Sequence, residues 1–82
     1  MSERQMLRAR RADKEDRLET LQIRASSMVA ELRRHLGGGY VEDVTDLKVE
    51  KAEDTMDRLG EVVREARTLA DEIDDLTDRI DG

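Results

Sequence analysis

The chain has no cysteine, proline, tryptophan or phenylalanine, and Tyr40 is its one aromatic residue. Without cysteine no disulfide can brace the fold, and the composition fits a reducing compartment, so a cytoplasmic location is the expectation. Without proline the strongest single helix breaker is missing, which leaves room for long helices. No apolar run approaches the length of a membrane-spanning helix, and Met1–Arg17 is too polar for a signal peptide. A chain of 82 residues allows one small domain.

What the chain does have is charge, on 44% of its residues, as in coiled coils. The same balance occurs in disordered chains, so the apolar spacing has to decide between them. It decides for helix. The triplet Gly37-Gly38-Gly39 divides the sequence nearly in half. Glycine is a poor helix former and tolerates positive φ, so three together stop one helix and permit a reversal before the next. The expected fold is all-α: an antiparallel, coiled-coil-like helical hairpin. Helix 1 covers about residues 2–36, the turn 37–39, and helix 2 about 42–80, each helix about 50 Å long at ~1.5 Å per residue.

Charge divides between the arms. Residues 1–36 carry nine Lys/Arg and six Asp/Glu, a net of +3, whereas residues 37–82 carry six and fifteen, a net of −9. In the first arm the 3,4 spacing runs through Leu18, Leu21, Ala25, Met28, Leu32 and His35, and extends back to Lys14, Arg11, Leu7 and Arg4. In the second it runs through Thr45, Val49, Ala52, Met56, Leu59, Val63, Ala66, Ala70, Ile73, Thr77 and Ile80. Folding about Gly38 sets Leu32 against Thr45, Met28 against Val49, Ala25 against Ala52, Leu21 against Met56 and Leu18 against Leu59. Beyond that, Lys14, Arg11 and Arg4 face Val63, Ala66 and Ile73, their charges reaching towards Asp71, Asp74, Asp75 and Asp78.

A parallel row, Val62, Leu69 and Leu76, has no counterpart on the first arm in that arrangement, so the apolar face is broader than a two-helix seam needs. The expected partner surface is therefore Val62, Val63, Ala66, Leu69, Ile73, Leu76 and Ile80. A lone two-helix hairpin leaves much of its surface wet, which favours association of two hairpins into a four-helix bundle.

Other chemistry finds little purchase. His35 is the one histidine, beside the glycines and without an evident nucleophile or acid partner. Asp71 to Gly82 lacks the ligand spacing of an EF-hand: Leu76 stands where its glycine belongs and Gly82 where its glutamate belongs. The glycine triplet leads into Tyr40-Val41, not the Lys-Ser or Lys-Thr of a phosphate loop. Tyr40 is expected to pack over the turn. Gly60, inside the second arm, costs about 1 kcal/mol relative to alanine and reads as tolerated. The basic cluster Arg4, Arg8, Arg10, Arg11, Lys14 and Arg17 is a candidate contact for nucleic-acid phosphates. Interleaved Glu3, Asp13, Glu15 and Asp16, and an acidic second arm, point instead to pairing between the arms.

The outline resembles the small substrates of type VII secretion, which carry Trp-x-Gly at the turn. Here Leu36-Gly37-Gly38 takes that place, so no family is assigned; nor does any motif tie the chain to type III secretion chaperones or phage accessory proteins. The sequence-based expectation is a non-enzymatic protein–protein interaction module: a self-associating scaffold, adaptor or small chaperone. It needs no cofactor, metal, membrane or small-molecule substrate, and its partner is a second copy or another helical protein. The alternative is a nucleic-acid-associated or regulatory protein using Arg4, Arg8, Arg11 and Lys14.

Overall fold

The computed structural model describes residues 1–37 and 40–82. Two long helices, α1 (Glu3–Leu36) and α2 (Val49–Asp81), pack against each other as a hairpin about 62 Å long. Ser2 starts α1 by a capping box: its hydroxyl accepts from the Gln5 amide, and the Gln5 side chain accepts from the Ser2 amide. Gly37 ends it at φ 72°, where its N–H donates to the Arg33 carbonyl. Gly38 and Gly39, the other two expected turn residues, lie outside the described residues.

Helix 2 does not begin near residue 42; it begins at Val49. The intervening stretch includes a short 3-10 turn, Val44–Asp46, which Asp43 organises. The Asp43 carboxylate accepts from the Thr45 amide at 2.9 Å and the Thr45 hydroxyl at 2.7 Å. Such side-chain bonds offer the backbone an alternative to helix, and β-branched Val41, Val44 and Thr45 resist helix less by choice than by lost rotamers. The segment is tied back where the Lys48 N–H donates to the His35 carbonyl at 3.3 Å.

This longer connection moves the register. Arg17 bonds Glu65, Lys14 pairs with Glu72, and Arg11 donates to Thr77 at 3.1 Å. The pairing is displaced about two helical turns along α2 from that of a tight reversal at Gly38. Ala25 accordingly shares a groove with Val62, Val63 and Ala66, not with Ala52. The expected pairings of Leu32, Met28, Leu21 and Leu18 with Thr45, Val49, Met56 and Leu59 give way with it.

The same packing rotates α2. Val62 and Leu76, expected to stand beside the seam, are buried in it, and Leu69 is half-buried. Met56 and Val49, expected in the seam, are 55% and 46% exposed. The gain is in size: burying the row Val62, Leu69 and Leu76 in preference to Val63, Ala70 and Thr77 removes more apolar area from water. Leu7, Leu76 and Ile80 form a buried cluster at the open end. Leu21, 1% exposed, anchors the middle, and Thr55 is wholly buried nearer the connection.

Candidate interaction face

The seam has two flanks, and they differ in kind. On one flank, residues seven apart on α2 are charged: Arg58, Glu65 and Glu72. Arg17 grips Glu65 through two hydrogen bonds, at 2.7 and 3.1 Å. Lys14 pairs with Glu72, and Glu31 lies 3.7 Å from Arg58. Arg58 also reaches Asp54 at 3.5 Å and donates to the buried Thr55 hydroxyl at 3.3 Å. The hydrogen bond from Arg17 holds the Glu65 carboxyl below the ordinary carboxylate range, with further attraction from Arg17 and Arg24 set against desolvation.

The other flank is apolar. Leu18, Leu21 and Ala25 of α1 and Val63, Ala66 and Ala70 of α2 line a shallow groove of about 250 Å³, edged by Gln22 and Arg67. Seven-residue steps carry the same face towards the connection. From Gln22 the row on α1 continues to Val29 and Leu36; from Ala70 and Val63 the row on α2 continues to Met56 and Val49. Val29, Leu36, Met56 and Val49 are all large, apolar and exposed. The groove and these four residues make one face running from mid-hairpin to the connection.

Of the residues expected to form the seam, Leu21 and Ala52 are buried, and Leu18, Ala25, Met28, Leu32 and Leu59 are half-buried within the hairpin. Of those expected to meet a partner, Val62, Leu76 and Ile80 are enclosed by the hairpin itself, and Ala66, Leu69 and Ile73 are half-buried. Val63 lines the apolar groove. Given the observed register, charge also marks the rotation: only with the Val62 row inward do Arg58, Glu65 and Glu72 come alongside Glu31, Arg17 and Lys14.

The basic cluster is largely turned to use within the hairpin. Lys14 and Arg17 are ion-paired across it, not with Asp71, Asp74, Asp75 or Asp78 but with Glu72 and Glu65. Arg11 bonds Thr77 and lies 3.5 Å from Glu15, and Arg10 shares a cleft with Glu72 and Asp75. Arg4 and Arg8 are exposed. His35 stands 3.6 Å from Glu31, and Tyr40, expected over the turn, is 76% exposed. Gly60 has room for a methyl group, which would touch only the Arg64 guanidinium at 3.5 Å. Asp71–Asp81 is continuous helix, without the loop that an EF-hand site needs. Among the described residues, no three His, Asp or Glu side chains are grouped to hold a metal, and no helix is long and apolar enough to cross a membrane.

No protein-family model, curated protein or solved structure matches this chain.

Proposed function

We propose that the chain is a non-catalytic protein–protein interaction module, a self-associating scaffold, adaptor or small chaperone, whose working surface is the apolar flank of the hairpin. The observation that carries this reading is the asymmetry of the two flanks. A hairpin that worked alone would gain by screening both sides of its seam with charge. Here one side is closed by ion pairs, and the other leaves Val29, Leu36, Val49 and Met56 open beside an apolar groove. Contiguous apolar surface of that kind marks docking sites. The spacing of the exposed side chains suits an amphipathic helix laid along them, with anchors one and two turns apart. A four-helix bundle is the simplest product.

Nucleic-acid binding through the basic arm is less well supported, because Arg11, Lys14 and Arg17 are already engaged within the hairpin. The two readings separate in one pair of measurements. A photo-crosslinking residue at Met56 should yield protein adducts in cells, and the same probe at Arg24, on the ionic flank, should yield few. Labelled RNA and duplex DNA should show no binding that weakens steeply with salt. Absence of adducts at Met56, together with salt-sensitive binding lost on changing Arg4, Arg8, Arg11 and Lys14 to glutamine, would replace this reading with the other.

A further inference from the structure

The edges of the apolar face carry charges in an order that complements itself. Outboard of Gln22 and Val29, α1 presents Glu19, Ser26 and Arg33, seven apart; outboard of Met56 and Val63, α2 presents Glu53, Gly60 and Arg67, also seven apart. Glu19, Arg33, Glu53 and Arg67 are all exposed. The Glu31–Arg58 contact and the His35–Lys48 hydrogen bond set Arg33 and Glu53 at a common height on opposite edges. The Lys14–Glu72 pair, five residues further from the connection on each helix, does the same for Glu19 and Arg67. Each height thus has an acid on one edge and a base on the other, and the order inverts between the two heights. Between them sit the small residues Ser26 and Gly60.

We infer that the occupant of this face is a second copy of the chain, stacked face to face about a two-fold axis parallel to the hairpin. The inference rests on the interaction-module reading and names its partner. Such an axis lays α1 of one copy antiparallel over α2 of the other. Arg33 then meets Glu53 of the second copy and Glu19 meets Arg67 of the second copy, each contact occurring twice. Ser26 passes over Gly60, where two small residues let the backbones approach. A transverse axis would also match these four charges, but it would set the acidic α2 against itself. The axis along the hairpin sets the basic first arm, net +3 over residues 1–36, over the acidic second, net −9 over residues 37–82. The face extends about 32 Å from Ala70 to Val49 at ~1.5 Å per residue and is about 20 Å wide across two packed helices. Two copies therefore bury roughly 1,200 Å² in total, within the range of specific interfaces at its lower end.

Sedimentation equilibrium of the purified full chain at tens of micromolar tests this. Twice the 9.4 kDa chain mass is expected. Met56→Glu should give a monomer with its helical circular dichroism retained, since Met56 is exposed within a single hairpin. Arg33→Glu should raise the dissociation constant roughly tenfold, through two lost pairs and two new repulsions. Glu53→Arg in the same chain should restore it. Restoration by Glu19→Arg in place of Glu53→Arg would overturn the axis in favour of the transverse one. A helical monomer for the unmodified chain would overturn self-association altogether. If Met56 then still crosslinked to other proteins in cells, the interaction-module reading would stand without it; if it crosslinked to nothing, both would fall.

Discussion

Leu21 and Glu65 show how unequal single residues are in a two-helix fold. Leu21 is almost wholly buried, and with so thin a core few neighbours can move in to fill its place. Leu21→Ala should cost about 2–5 kcal/mol, enough to consume much of the stability of a small domain, and thermal denaturation followed by circular dichroism would register it. Gly60→Ala should act in the opposite direction. Within one hairpin the added methyl meets only a flexible guanidinium, so on the Met56→Glu background, where no second copy lies over Gly60, the helix gains about 1 kcal/mol from a better helix former. Glu65 contributes to acid sensitivity instead, as does Asp43, whose carboxyl the Thr45 hydrogen bonds also hold below the ordinary range. The folded-state pKa of Glu65 is lowered by Arg17, so its contribution is fully present above the unfolded glutamate value of about 4.3 and is lost as pH falls through the lowered folded value. Melting temperature should fall over that acidic window, and Glu65→Gln should flatten this part of the profile.

At the level of elements, the connection between the helices decides more than the glycines do. Gly37 ends α1, but Asp43 and Thr45 then hold a non-helical turn, and α2 starts only at Val49. Delaying the start of α2 slides it past α1 and sets which charges meet. The register can be tested by exchange of charge. Arg17→Glu or Glu65→Arg alone should lower the melting temperature, and the double variant should recover most of the loss. No recovery would mean that these side chains do not face each other. In the register of a tight reversal at Gly38 they would not.

Across the whole molecule, opposite net charges on the two arms make the open end sensitive to ionic strength. Lys14→Glu with Arg17→Glu should place like charges against Glu72 and Glu65 and speed hydrogen exchange from mid-hairpin to the open end, in the first half of α1 and the last half of α2. Added salt should reduce the difference, because exposed charges are screened over about 8–10 Å at 0.1–0.15 M. The cluster of Leu7, Leu76 and Ile80 is held by apolar burial, not by charge, and should keep the end from separating completely. The apolar flank lies towards the connection, so this variant should leave that half of the hairpin largely protected.

The sequence by itself determined the two helices, the boundary at Leu36–Gly37, the seam of α1 and the opposite charge of the arms. These follow from local propensity and from the 3,4 spacing of apolar residues, which a single chain segment carries within itself. It also contained two rival seams on α2, both sharing Ala52, Leu59, Ala66, Ile73 and Ile80, and spacing alone does not choose between neighbouring rows. Tertiary packing chose. The length of the connection fixed the register, and larger side chains at Leu69 and Leu76, with Glu65 and Glu72 brought to Arg17 and Lys14, fixed the rotation. The face left open therefore runs through Met56 and Val49, not through Val62 and Leu76. Which residues of a helix remain for a partner depends on what the other helix has already covered, and that is a property of the pair.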